Sequence, residues 1–272
     1  MDKNKKIKTD ISVVLPIHEL NNEKEITLFK TAIESVANQE SRPEELLIVV
    51  PIGSEIEETM KTFDFGEAKD IVKVVVNPDG AGFQTQINYG VSQVKSKWFS
   101  FLEFDDEYSN KWFKNVVEYR EAHTDVEMFM PIIVDTDSNS GAFMGLTNEA
   151  VWANSFSDEL GILDENGLLT FQNFNIDGLV MQKEAFDNWG GFKKNIKLTF
   201  IYEFLLRMVT NGVKSMVIPR FGYKHQNKRE GSLFEQYANE MDALEAKWWL
   251  EQAKKEYFHK RERDISYDKG II

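Results

Sequence analysis

The chain has 272 residues, 42% apolar and 28% charged, enough for a substantial core and too ordinary a composition for a disordered protein. It has no cysteine, which excludes disulfides, zinc–thiolate sites, iron–sulfur clusters and thiol nucleophiles. Its net charge of -13 disfavours general nucleic-acid binding and leaves room for an enzyme that holds divalent cations.

The basic start MDKNKKIKTD runs into the short apolar stretch Ile11–Ile17, interrupted by Pro16. That stretch is too short for a signal peptide, and no stretch reaches the ~20 apolar residues of a membrane span, so a cytoplasmic protein is expected. Ile11–Leu15 reads as a strand buried on both faces, because it is a continuous β-branched run. A helix over 23–39 follows from the spacing of Ile26, Phe29, Ile33 and Val36. Leu46–Val50 is a second buried strand, and 55–70 carries Met60 and Phe63 spaced for a helix face. Ile71–Val76 is a third strand, 81–94 a glycine-opened helix, and Lys97–Leu102 a fourth strand ending in the acidic run Glu103–Glu107. This strand–helix alternation predicts parallel strands joined by crossover helices, with ligands beyond the strands' carboxyl ends.

The second half is less regular. Helices are expected at Trp112–His123, Lys183–Trp189 and Phe200–Thr210, the last stopped by Asn211-Gly212. Strands are expected at Met128–Val134, Asp177–Met181 and Val213–Ile218. Residues 135–175, rich in Asn, Asp, Gly and Ser, read as a long loop region. Residues 233–263 read as a long amphipathic helix with Leu233, Tyr237, Met241, Leu244 and Trp248 along one side. Its Trp248 and Trp249 suit packing, self-association or a protein partner.

Several short motifs stand in order at the strand ends: ISVVLPIHE, IESVANQ, Asn77-Pro-Asp-Gly-Ala-Gly with Gln86-Ile-Asn88-Tyr-Gly90, FLEFDDE, Gly178 with KEAFDNWGGF, and Phe204–Arg207 with Asn211-Gly212. Together they resemble the family 2 glycosyltransferases over residues ~11–232. The resemblance implies an α/β protein of the GT-A (nucleotide-diphospho-sugar transferase) fold, with a mixed, mostly parallel sheet flanked by helices and a long C-terminal helix. On that reading 1–232 is one GT-A-like domain. Residues 10–107 form its nucleotide-binding half and 108–232 its acceptor half, and 233–272 form the C-terminal helix and tail.

By resemblance, the acidic run holds Mn²⁺ or Mg²⁺, which bridges the diphosphate of a nucleotide-sugar donor. A hard cation accepts oxygen ligands from protein and phosphate alike and assists the leaving group. Asp105 and Asp106 become the metal ligands, and Glu103 lies where the family favours Asp. The alternative for this run is an acidic helix cap. His225, in Gly222-Tyr-Lys-His-Gln, is similar to a late His of such enzymes, a metal ligand or phosphate contact. Pro16, Ile17, Glu19, Gly53, Ser54, Asn77, Gly80, Asn88 and Glu103 line the expected donor pocket. Asn and Gly also serve turns for conformational reasons alone.

Two positions depart from the family pattern. The usual D-D-G-S after the second strand is Pro51-Ile52-Gly53-Ser54 here, which removes the carboxylate expected at the nucleotide base. The usual Glu-Asp before the helix Arg is Phe200-Ile201, and neither can take a proton. Glu203 and Asp177 are the substitute candidates for the base that deprotonates the acceptor hydroxyl.

Two readings follow. One is a metal-assisted, inverting glycosyltransferase with an unknown acceptor. The other is a non-catalytic relative serving as a binding or assembly component, for example of a virus particle. A nucleotidyltransferase is weaker, because the basic Gly-rich loop usual near the start of those enzymes is missing. Charge is also segregated. Residues 193–229 hold nine Lys or Arg against one acid, Glu203, which suits an anionic ligand held between a metal and a basic lid, or a basic patch that docks an acidic protein partner.

Overall fold

The structure is a computed structural model and describes residues 7–196, 199–227, 244, 247–248 and 250–255. The elements in chain order are β1 (Ile7–Lys8), β2 (Ile11–Pro16), α1 (Glu23–Ala37), β3 (Ser41–Arg42), β4 (Glu45–Pro51), α2 (Glu55–Met60) and β5 (Val72–Asn77). Then come α3 (Phe83–Gln93), β6 (Trp98–Phe101), β7 (Glu107–Tyr108), α4 (Trp112–Ala122), β8 (Met128–Asp137), β9 (Phe143–Thr147) and β10 (Ile162–Leu163). The last are α5 (Glu165–Thr170), β11 (Val180–Gln182), α6 (Lys183–Asn188), α7 (Phe200–Thr210) and β12 (Ser215–Asn227).

One ten-stranded sheet has the spatial order β10-β12-β8-β11-β6-β2-β4-β5, with β7 paired to β12 and β9 to β8. Strands β5, β4, β2 and β6 are mutually parallel. β11 runs antiparallel to both β6 and β8, while β8 and β12 are parallel. The chain builds outward from β2 through β4 to β5, then returns to place β6 on the other side of β2. That reversal opens a crevice beyond the carboxyl ends of β2 and β6, where ligands of open α/β sheets bind.

The β-branched runs explain the two-sided burial. In β2, Ile11, Val13 and Leu15 join one apolar cluster, whereas Val14 joins the other. In β4, Leu46, Ile48 and Val50 face the first cluster and Leu47 and Val49 the second. Period-2 alternation thus feeds two cores, one under α1 and α4, the other under α3, α6 and α7. Gly90 lets α3 lie directly on the sheet, because a Cβ there would strike Val14 and Val49. α1 starts on Asn22, whose side chain accepts from the Glu25 amide at 3.0 Å, with Glu23 and Glu25 in its first turn. Gln39, just after α1, is wholly buried and bonds Ser35 O, Ser109 O and the Phe113 amide. It pins α1 to the start of α4.

The structure differs from expectation in three places. Residues 135–175 are not a long loop. They contain β9, a short 3-10 turn over 149–152, β10 and α5. The polar residues there make a hairpin turn: Asp137 Oδ1 accepts from the amides of Asn139 and Ser140, and Gly141 adopts φ +70°. The strand expected to end at Ile218 continues to Asn227, because register shifts around Pro219 and Arg220 absorb the interruption of its apolar run. The helix face expected over 55–70 divides into α2 and a 3-10 turn at 66–68. Of the helix expected over 233–263, residues 244, 247–248 and 250–255 are helical, and the rest lie outside the described residues. Among the described residues no helix is long and apolar enough to cross a membrane.

Candidate cation and donor site

The acidic run leaves β6 at the crevice. The Leu102 amide bonds Val14 O at 3.0 Å, which keeps the run beside β2. The Asp106 amide bonds Glu103 O at 3.3 Å, and the Tyr223 hydroxyl accepts from the Glu103 amide at 3.1 Å. The carboxyl half of β12 is sandwiched between β7 and β8, with Tyr223 opposite Tyr108 and His225 opposite Asp135. The unexpected length of β12 is therefore what carries His225 to the acidic turn. Asp177 arrives from a third direction, just before β11. Gly178 follows it at φ +72°, where a Cβ would collide with the Tyr223 ring, and the buried Trp112 indole donates to Gly178 O at 2.8 Å.

These elements bring Asp106, Asp177 and His225 together, with one ligand atom from each lying within 4.8 Å of the others. Each side chain has one end fixed. Asp106 Oδ1 accepts from the Gln226 amide at 2.7 Å. Asp177 Oδ2 accepts from Asn175 Nδ2 at 2.5 Å. His225 Nδ1 pairs with Asp135 Oδ1 at 2.9 Å, and Asp135 Oδ2 accepts from Thr147 Oγ1 at 2.7 Å. Asp106 is 2% exposed, yet its Oδ2 is buried with no hydrogen-bond partner. A buried orphan oxygen costs about 1–3 kcal/mol unless something coordinates it. Two carboxylates and an imidazole, each oriented by an outer partner, fit a divalent cation.

The electrostatics agree. Burial first, then Asp105, pushes the Asp106 carboxyl well above its usual range. Enclosure, followed by Asp177, Asp106 and Asp105, does the same to Glu103, and burial raises Asp177. Burial alone would depress His225, but the Asp135 hydrogen bond and then Asp106, Asp177 and Glu103 raise it to about 11. The turn thus crowds three buried carboxyl groups around one imidazole, and each carboxyl is reluctant to carry its charge without a compensating cation.

The other sequence-selected residues take different positions. Asp105 is buried beside the group without joining its ligand set. Pro16 ends β2, and Ile17 is wholly buried in the core. Glu19 is exposed, 3.5 Å from His18. The Gly53 amide bonds Glu57 at 2.8 Å, and Ser54 caps α2. Asn77 closes its own turn through Gly80 O and the Asp79 amide. Asn88 bonds both the carbonyl and the amide of Phe192. Glu203 is 0% exposed, its oxygens held by Arg207 Nε at 2.8 Å, Arg207 Nη2 at 3.0 Å and Lys193 Nζ at 3.2 Å. Arg207 also donates to the carbonyls of Trp189 and Gly191. Glu203 therefore anchors the 189–193 turn. Phe200 packs against the rings of Phe83 and Phe192 at 5.8 and 5.6 Å. Ile52, which replaces a family carboxylate, is 64% exposed.

Sequence reasoning missed Asp135, Thr147, Asn175 and Tyr223. Asp135 had a usable signal, since it directly follows an apolar strand, as the acidic run does. The other three are ordinary polar or aromatic residues whose roles depend on the length of β12 and on β9.

The structure of S. aureus TarS 1–349 is similar at TM-score 0.58 and 13% identity, covering 79% of this chain and 60% of that one. The same protein in complex with UDP-GlcNAc matches at TM-score 0.59 and 15% identity, covering 83% and 60%. The chain spans 36% of the longer S. aureus TarS structure. At these identities the likeness shows the fold, which is the GT-A fold of those glycosyltransferases. A search of curated protein sequences gave no match. The glycosyl transferase family 2 profile matches residues 12–193, from the first strand of the crevice through the acidic run and Asp177 to the Gly190-Gly191 turn; the chain belongs to glycosyl transferase family 2.

Proposed function

We propose that the protein binds a nucleoside-diphosphate sugar at the carboxyl ends of β2 and β6 and transfers the sugar to an acceptor hydroxyl with inversion. The observation that carries this reading is the buried Asp106 carboxyl, which has one unpartnered oxygen and a ligand atom within 4.8 Å of one on Asp177 and one on His225. Asp106, Asp177 and His225 would hold Mn²⁺ or Mg²⁺, and such a cation supplies Lewis-acid assistance to a departing diphosphate. Asp135 holds His225 Nδ1 at 2.9 Å, so Nε2 would be the ligand atom. Asn175 fixes the Asp177 carboxylate, which makes Asp177 a ligand in this proposal rather than the acceptor's base. The anomeric carbon–oxygen bond would break with its electron pair on the diphosphate, the acceptor oxygen would form the new bond from the opposite face, and the acceptor's proton would pass to a diphosphate oxygen or to solvent water. UDP-GlcNAc is the first donor to try, because TarS 1–349 has been solved with it.

One observation favours a second reading, a protein that holds a donor without transferring it. The family's Glu-Asp positions carry Phe200 and Ile201, and Phe200 is packed among aromatic rings. Glu203 is locked by Arg207 and Lys193. Titration with UDP, GDP and their sugars, with and without Mn²⁺, coupled to a donor-hydrolysis assay, separates these outcomes. Mn²⁺-dependent binding with turnover supports the transferase. Binding without hydrolysis or transfer supports the second reading. Absence of metal-dependent binding to every nucleotide refutes both.

A further inference from the structure

The outer partners of two of the three cation-facing side chains converge on one dipeptide. Thr147 ends β9, and Asn148 follows it. Thr147 Oγ1 donates to Asp135 Oδ2 at 2.7 Å, and Asp135 Oδ1 holds His225 Nδ1 at 2.9 Å. Asn148 Nδ2 donates to Asn175 O at 2.8 Å and to Pro131 O at 2.9 Å, and its Oδ1 accepts from the Asn175 amide at 3.0 Å. Asn175 repeats this grip one step further on. Its Nδ2 donates to Asp177 Oδ2 at 2.5 Å, and its Oδ1 accepts from the Asp177 amide at 3.3 Å.

Asn148 is 1% exposed and, at φ 77°, the one non-glycine residue with positive φ among the described residues. A side chain in the left-handed region carries a conformational cost that the surrounding bonds must offset. Here both amide hydrogens and the amide oxygen are used, all on main-chain groups of Pro131 and Asn175. Pro131 and Asp135 lie on the same strand, β8. One rigid strand therefore references both arms, one reaching His225 and the other Asp177.

We infer that Thr147 and Asn148 form a positioning pair for the cation site, setting His225 through Asp135 and Asp177 through Asn175. They touch neither ligand atom. Thr147 keeps the Asp135 carboxylate oriented to receive the imidazole, and Asn148 fixes the loop from which Asn175 aims the Asp177 carboxylate. This inference rests on the cation reading above.

The test uses the full chain and Mn²⁺ alone, with affinity read by electron paramagnetic resonance at a temperature where every variant is folded. Thr147→Val keeps the shape and removes the hydroxyl; Thr147→Ser keeps the hydroxyl. Asn175→Ala removes the donor to Asp177 and leaves the Asn175 main chain available to Asn148. Thr147→Val and Asn175→Ala should each raise the Mn²⁺ dissociation constant roughly ten- to a hundred-fold, the usual effect of losing an outer-shell partner. Thr147→Ser should stay near wild type, a rescue that loss of fold would not produce. Wild-type Mn²⁺ affinity in both Thr147→Val and Asn175→Ala overturns the inference while leaving the cation reading intact. If the unaltered protein binds no Mn²⁺, the cation reading falls and takes this inference with it.

Discussion

Replacing Asp106 with Asn should make the cation-free protein more stable and the site inactive toward cations. Asp106 is almost fully buried with one oxygen unpartnered, and burial together with Asp105 disfavours its charge. Asn keeps an Oδ1 acceptor for the Gln226 amide, removes the charge, and offers an NH2 to the neighbouring carboxylates. Relief of one unsatisfied buried group is worth about 1–3 kcal/mol. At about 2–4 °C per kcal/mol for a chain near this size, Tm should rise by roughly 2–12 °C in EDTA. The advantage should vanish as pH falls toward the ordinary carboxyl value of 3.8, because Asp106 is then neutral in folded and unfolded chains alike. With Mn²⁺ at a hundred times its dissociation constant, the unaltered protein gains about 2.7 kcal/mol, and the variant should gain nothing. Differential scanning fluorimetry in EDTA and in Mn²⁺ reads both effects. A variant that melts lower in EDTA and still responds to Mn²⁺ would refute the reasoning.

Three further outcomes follow from the geometry. Glu203→Gln should destabilise the fold by about 3–5 kcal/mol, because it weakens a buried pair and leaves Arg207 poorly compensated; chemical denaturation measures this, and donor binding per folded molecule should be unchanged. Gly90→Ala should cost about 1–3 kcal/mol through overpacking, since its Cβ meets Val14 and Val49 across the α3–sheet contact. Burial alone would raise Glu45, but hydrogen bonds from Lys73 at 2.5 Å and Ser12 at 2.9 Å and the Lys95 amide hold it below its ordinary value of 4.5. A depressed folded pKa gives stability that is present above 4.5 and lost as pH falls through the folded value. The stability gap between unaltered protein and Glu45→Gln should therefore close below about pH 4.5, and equal acid sensitivity of the two would contradict this assignment.

In the parallel half of the sheet, β2 and β4 were legible because they carry uninterrupted apolar runs buried on both faces, whereas the edge strand β5 exposes Lys73 and Val74 and β6 is the aromatic run WFSF. The acidic run was legible because it directly follows such a strand. Two of the three residues of the proposed cation group, Asp106 and His225, were selected as metal ligands from the family resemblance. Asp177 was selected for a different role, since a lone Asp before a short strand says nothing of which neighbours it meets. Pro219 and Arg220 hid the full length of β12, and without that length His225 has no reason to reach Asp106. Polar turn residues hid β9, and with it Thr147 and Asn148. Asn77, Asn88 and Ser54 matched family positions, but their hydrogen bonds in this structure are spent on a turn, on Phe192 and on a helix cap. Residue type marks a position, while the competition between ligand and main chain for its polar atoms is decided by packing.

Diffraction from a crystal grown with Mn²⁺ and UDP, recorded at the manganese absorption edge, tests the central claim most directly. The account predicts one anomalous peak in bonding contact with Asp106, Asp177 and His225, and with the diphosphate. A peak on Glu103 and Asp105 alone, or diphosphate bound in the crevice with no peak beside it, would contradict the account.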